Sequence, residues 1–146
     1  MSKNGLAILC SVWLGLQVGI GYLAVPVLFR HLEKFQAGKI AGELFSWVAY
    51  SGLAVWVLML CWLLCFSVIQ KNSLRRAIVA VLLVLLTLNQ FMLSPVIEAL
   101  KTGRTNWLLS MLGGSFAMWH GVSGGVYLLE SLLGLWAVVL LVQLKD

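Results

Sequence analysis

Few residues in this chain could do chemistry, and their placement is uneven. Glu130 is a lone carboxylate inside an otherwise uncharged apolar run, and Gln17, Asn89 and Gln90 are amides inside others. His31 and His120 are the two histidines, each beside a polar group: Arg30 and Glu33 for the first, Ser123 for the second. Arg30, Glu43, Asn89, Glu98, Ser123 and Glu130 are the candidate ligand-binding side chains. His120 and His31 are the candidates for holding a cofactor. Two imidazoles on neighbouring helices can ligate haem axially, or hold a soft metal with Met92 or Met118. They equally suit water and headgroups, so the cofactor stays unknown and no metal-ligating set is assigned.

Other chemistries have nothing to stand on. No GxSxG, HExxH, P-loop or GxGxxG in a strand–helix setting occurs, and no Asp precedes Asp146. Cys61 and Cys65 are four apart on one helix, which is neither CxxC nor a zinc pattern. With Cys10 they read as small buried hydrophobes. Nothing specifies an enzyme.

The elements that carry these residues follow from composition. Of 146 residues, 62% are hydrophobic and only 10% charged, against about 25% charged in soluble domains. In water such a chain would expose apolar patches that soluble monomers rarely carry. The net charge of +5 sits in short segments between apolar runs, where membrane-flanking cations belong. It forms no stripe for a nucleic acid, which is excluded as a partner. The lipid bilayer is the expected solvent.

A span takes about 20 apolar residues. Four runs qualify, at about 6–29, 44–69, 77–97 and 121–144. The expected fold is all-α, one transmembrane four-helix bundle, with a short interfacial segment between helices 3 and 4. That segment runs from Asn106 to His120, is broken at Gly113-Gly114, and has Trp107 and Trp119 at headgroup level. The first run is too long for a signal peptide and lacks an A-x-A-like site, so it is expected to stay as a helix. Pro26 and Pro95 should end or kink spans one and three. No internal repeat is read. Ser11, Gly15 and Gly19 form a small-xxx-small stripe expected to pack inside the bundle, with an oligomer contact as the alternative.

Four alternating spans put Lys3, Lys71, Arg75, Arg76 and Lys145 on one side of the membrane. Arg30, Lys34, Lys39, Lys101 and Arg104 fall on the other. The count is even. The compact cluster from Lys71 to Arg76 leans towards both termini in the cytoplasm of a bacterial inner membrane.

Alternation also gathers Pro26, Arg30, His31, Lys39, Gly42, Glu43, Ser94, Pro95, Glu98, His120 and Ser123 at one rim. Glu130 lies deeper, roughly 12–18 Å from that rim at about 1.5 Å per residue. A carboxylate at that depth costs about 2.5 kcal/mol or more. It is expected to face inward, towards Gln17 or Asn89.

The sequence also resembles a known family. Gly21-Tyr22-x-x-x-Pro26-Val27-Leu28-Phe29, followed by Ala37-Gly38-x-Ile40-Ala41-Gly42-x-Leu44-Phe45, is similar to the opening of the transmembrane-protein-205-like family. Leu88-Asn89 with Pro95, and Trp119-His120-Gly121-x-Ser123, look like its later motifs. The resemblance implies a four-helix membrane fold of unknown activity. More distantly, the layout resembles CopD-like copper-resistance proteins and HemJ-type protoporphyrinogen oxidases. HemJ-type proteins carry a histidine early in the first span, where this chain has Trp13 and Gln17. Gly38 and Gly42 are expected to let the second helix start against a neighbour's backbone, with Phe29 and Phe45 as wedges.

Three functions follow as expectations. The first is binding, or helping to transport, an ion or small amphiphile at the polar rim. The second is a haem-linked or other membrane oxidoreductase. The third is a structural or assembly partner in the membrane.

Overall fold

The structure is a computed structural model that describes residues 3–65 and 73–143. In hydrocarbon each backbone amide must be satisfied within its own segment, so apolar runs fold as helices. Four of the helices are long and apolar enough to span a membrane: Asn4–His31, Lys34–Cys65, Ser73–Thr102 and Phe116–Val142. The expected all-α architecture is the one observed. The stretch from 66 to 69, Lys71 and the residues from 144 onwards lie outside the described residues.

Two spans are compound. The first consists of α1 (Lys3–Gly19), a π-helix (Ile20–Ala24) and α2 (Val25–His31). The third consists of α4 (Ser73–Leu88), a π-helix (Asn89–Leu93) and α5 (Ser94–Thr102). The second is α3 (Lys34–Cys65) and the fourth is α7 (Phe116–Val142), with a short α6 (Trp107–Leu112) before it. Span one packs on spans two and four, and span three does the same, giving a square of antiparallel neighbours.

The prolines do not end their helices. Pro26 and Pro95 each sit at the start of the α-helix that follows a π-helix. Proline lacks an N–H and its ring crowds the carbonyl four residues back. A π-turn widens the helix just upstream, where the Val25 N–H reaches back to the Ile20 carbonyl and the Ser94 N–H to the Asn89 carbonyl. Each span therefore continues with its register shifted.

This shared device reveals an internal repeat, contrary to the expectation of none. Tyr22-x-x-x-Pro26-Val27-Leu28 in span one matches Phe91-x-x-x-Pro95-Val96-Ile97 in span three, 69 residues on. In span two, Gly42-x-Leu44-Phe45 leads, seven residues after Phe45, to Gly52-Leu53. Gly124-x-Val126-Tyr127 leads likewise to Gly134-Leu135 in span four, 82 residues on. The second offset is longer because the connection holding α6 falls between spans three and four. Two helical hairpins of one plan thus build the bundle.

Their shared glycines receive one side chain. Trp13 donates from Nε1 to the Val48 carbonyl at 2.9 Å, and its indole fills the notches left by Gly52 and Gly134. The Trp56 ring meets it edge-on, centroids 5.5 Å apart. Around this wedge lies the apolar core, including Leu6, Cys10, Met59, Leu63, Leu82, Leu86 and Leu141. At the same end Arg75 donates from Nε to the Leu140 carbonyl.

Several packing expectations are corrected. Ser11 and Gly15 are exposed, and none of the described residues would meet a side chain built at Gly15 or Gly19. Their stripe faces outward, because the wedge that joins span one to its neighbours lies on the Trp13 face. Cys61 and Cys65 are exposed on span two, and only Cys10 is buried. Gly42 borders open space, whereas Gly38 lies beneath Phe29 and Lys101. Phe29 is half exposed, and only Phe45 acts as an internal wedge, against Tyr127.

The connection before span four is also shorter than expected. Asn106 caps α6 by accepting from the Leu108 and Leu109 amides. Gly113 and Gly114 then adopt positive φ, which ends the helix cheaply only at glycine. Ser115 caps α7, so residues 116–120 belong to span four. Trp119 is buried, not at the headgroups, and donates to the Gly113 carbonyl at 2.9 Å. Trp107 stays exposed.

Candidate functional site

On the rim side of the apolar core, three spans deliver a connected polar cluster. Glu130 on span four is 1% exposed. Its Oε2 accepts from Gln17 Nε2 on span one at 3.2 Å, and its Oε1 accepts from Asn89 Nδ2 on span three at 3.3 Å. The Ser123 hydroxyl donates to Asn89 Oδ1 at 2.7 Å. The cluster is therefore one chain of hydrogen bonds from Ser123 through Asn89 and Glu130 to Gln17. The carboxyl faces inward between the two amides that burial cost selects for it.

Local structure places each member. Asn89 opens the second π-helix, and Gln17 lies just before the first. Such π-turns occur often at functional sites because they re-aim side chains without ending the helix. Tyr127, one turn from Glu130, donates its hydroxyl to the Gln17 carbonyl and lies against the Gly21 amide. A side chain inserted into a helical ladder widens it. Tyr22 and Phe45 pack edge-on against the Tyr127 ring, with centroids 6.0 and 5.1 Å away. Beside them Gln90 Nε2 reaches Ser46 Oγ at 3.4 Å.

Of the candidates named from sequence, Asn89, Ser123 and Glu130 are brought together, and Arg30, His31, Glu43, Glu98 and His120 are not. The latter five are all exposed. Glu98 makes a long ion pair with Lys101 at 3.9 Å, and Lys101 also reaches the Gly38 carbonyl. His120 stacks on Phe116, centroids 5.6 Å apart. Among the described residues no hydrogen bond or ion pair joins Arg30, His31 or Glu43 to this set. No group of three metal-ligating His, Cys, Asp or Glu side chains occurs among them either.

Sequence reasoning placed Gln17 beside Glu130 but not in the site, and it passed over Tyr127. The signal for Tyr127 was present: a tyrosine three residues before a buried glutamate lies on the same helix face.

A chain with this layout can be compared with known proteins. A family model described as a domain of unknown function, DUF4149, matches residues 8–106. The chain belongs to the DUF4149 family. An uncharacterised protein of Aquifex aeolicus (strain VF5) is 33% identical over 140 residues, covering 96% of each chain. No solved structure matches. These comparisons lend no support to the transmembrane-protein-205-like, CopD-like or HemJ-type resemblances. The 8–106 match takes in Gln17, both π-helices and Asn89, and it stops short of Ser123, Tyr127 and Glu130.

Proposed function

We propose that this DUF4149 member forms a single transmembrane domain that binds, and helps to move, an ion or small amphiphile at an intramembrane site centred on Glu130. One observation carries the reading: a fully buried carboxylate is held by two uncharged amides from two other spans. Intramembrane ionisable groups are costly and mark ligand or ion pathways by default. Ser123 is half buried, one turn below the exposed His120, so the hydrogen-bond chain leads from the rim to the carboxyl. Arg30, Glu43, Glu98 and His120 then form the mouth. The reading includes both termini in the cytoplasm of a bacterial inner membrane, supported by the basic cluster from Lys71 to Arg76.

The test is a thermal-unfolding screen of the protein in lipid nanodiscs against ions and short-chain amphiphiles. A stabilising compound should lose its effect in Glu130→Gln and keep it in Glu43→Ala. No compound that distinguishes wild type from Glu130→Gln would remove the proposal.

The Ser11–Gly15–Gly19 stripe supports a second reading, as an assembly surface, because none of the described residues fills the space beside Gly15 or Gly19. A Gly15→Leu protein with unchanged oligomeric state in mild detergent would count against it.

A further inference from the structure

The internal repeat supplies a control for the polar cluster inside the same molecule. Applying the two offsets, the counterpart of Gln17 is Leu86, that of Asn89 is Ile20, that of Ser123 is Ala41, and that of Glu130 is Val48. Leu86, Ala41 and Val48 are buried and Ile20 is half buried. Each polar member of the cluster thus has an apolar counterpart in an equivalent place in the bundle. Packing four helices at this level requires no polar side chain. The repeat-related positions reach the same geometry with Leu86, Ile20, Ala41 and Val48, at none of the desolvation cost. The polar set is there for another reason.

Charge indicates what the reason is. Among the described residues Glu130 accepts only from neutral amides, and no Lys, Arg or His is paired with it. Its ionisable neighbours are the Tyr127 phenol on its own span and, packed on that ring, Tyr22 of span one. Near them span two brings Phe45 and Ser46, and span three brings Asn89 and Gln90. An ionised carboxylate here leaves one uncompensated negative charge in hydrocarbon. One positive charge neutralises it, whereas a divalent ion would reverse the sign and restore the cost.

The atoms suit a hard cation. Glu130 supplies two oxygens and Gln17 and Asn89 one amide oxygen each, while Ser123 holds the far side of the Asn89 amide. Rotation about the last side-chain torsion of Gln17 and Asn89 exchanges N–H for C=O towards the centre. The Ser123 hydroxyl can then accept from Asn89 instead of donating to it. Four oxygens from three spans match the all-oxygen coordination hard cations take. Tyr127 fixes the backbone of Gln17, so part of the ordering cost is met before binding. We infer that the Glu130 cluster binds one monovalent metal cation of sodium or lithium size, with Glu130, Gln17 and Asn89 as its ligands and Ser123 orienting the Asn89 amide. This rests on the reading of the cluster as a binding site, and it fixes the class of ligand.

The test uses a hydrophobic carbodiimide, which modifies buried carboxyls from the lipid phase, on the full chain in nanodiscs. Modification of Glu130 is followed by peptide mass spectrometry in sodium, lithium, potassium or choline chloride at one pH and ionic strength. Sodium or lithium should slow it about tenfold relative to choline, the scale expected when a charged ligand is engaged. Gln17→Leu, Asn89→Ile and Ser123→Ala install the residue the other hairpin already carries, so each should fold. Each should leave Glu130 reactive and weaken the sodium or lithium protection. Equal rates in all four salts, or better protection by calcium at equal concentration, would overturn the inference. If equal rates accompany an amphiphile whose stabilisation needs Glu130, the cation assignment falls and the binding site stands. If no compound depends on Glu130, both fall.

Discussion

Tyr127 on the fourth span hydrogen-bonds the main-chain carbonyl of Gln17 on the first, and its ring occupies the space where Gly21 has no side chain. That contact joins the two hairpins at the level of the first π-helix. A methyl at Gly21 would collide with the tyrosine ring. Gly21→Ala should therefore lower stability by about 1–3 kcal/mol, the usual cost of overpacking. Tyr127→Phe keeps the ring and loses one hydrogen bond, worth about 0.6 kcal/mol on average within membranes. Thermal unfolding in nanodiscs should rank Gly21→Ala as the more damaging change. The reverse order would mean that the ring does not fill the Gly21 notch.

Trp13 is the corresponding wedge in the opposite half of the bundle. It is 2% exposed and sits in the notches of Gly52 and Gly134. Trp13→Ala should cost about 3–5 kcal/mol, as for other large-to-small core changes. Gly52→Ala should also destabilise, because the indole would have to leave its place. Loss of monomeric protein after detergent extraction would report both. A Trp13→Ala protein as stable as wild type would contradict the packing.

Glu130 should behave in the opposite way. Replacing a buried polar network by packed apolar side chains is often neutral or stabilising, whereas removing one partner leaves the others unsatisfied. Glu130→Ala should lower stability, since Gln17 and Asn89 lose their acceptors. The triple change Glu130→Val, Gln17→Leu, Asn89→Ile copies the other hairpin and should restore it to wild type or above. The two unfolding temperatures decide the matter. A triple variant less stable than Glu130→Ala would show that the network holds the fold together.

How much of this was legible in the sequence depends on the solvent. In lipid, inward and outward faces of a helix are both apolar, so hydrophobic periodicity does not say which face is buried. By sequence alone the Ser11–Gly15–Gly19 stripe and the pair Cys61 and Cys65 suit the inside equally, although Ser11, Gly15 and both cysteines are exposed. A carboxylate leaves no such freedom: cost alone sends Glu130 to the interior and to an amide. The prolines flagged Pro26 and Pro95 as irregular, but not that a π-turn would absorb them. The repeat stayed hidden because its two offsets, 69 and 82, differ by the length of the extra connection. Nearly half of its matches are physical equivalents, such as Tyr22 with Phe91 and Phe45 with Tyr127, and not identities.

Deleting one residue from a π-turn tests the register argument. A π-helix carries one residue more than the α-helix it interrupts, so a deletion within Ile20–Ala24 can reset it to an α-helix. That deletion should keep Gln17 and the rim-side α2 on their present faces, whereas a deletion in regular α-helix turns everything beyond it by one residue, about 100°. Deleting Ile20 should leave four spans, with the Gln17 amide still at Glu130 and α2 still against span two. The measurement is the unfolding temperature compared with deletion of Leu9, which lies in regular α-helix. A smaller loss for the π-helix deletion is expected, because only there does the helix hold a residue it can give up.

The rim requires that His31 and His120 open to the same aqueous side, since spans one and four run in opposite directions between the ends that carry them. Single cysteines at positions 31 and 120, in a chain with Cys10, Cys61 and Cys65 replaced by Ser or Ala, should react with an impermeant maleimide from one side of sealed vesicles. A cysteine at Asn4 should react from the other. Both histidine positions are exposed, so access does not limit the reaction, and only sidedness is read. Labelling of 31 and 120 from opposite sides would require an odd number of crossings between them. The polar chain from Ser123 to Gln17 would then no longer open at the end of the bundle where Arg30, Glu43 and Glu98 stand.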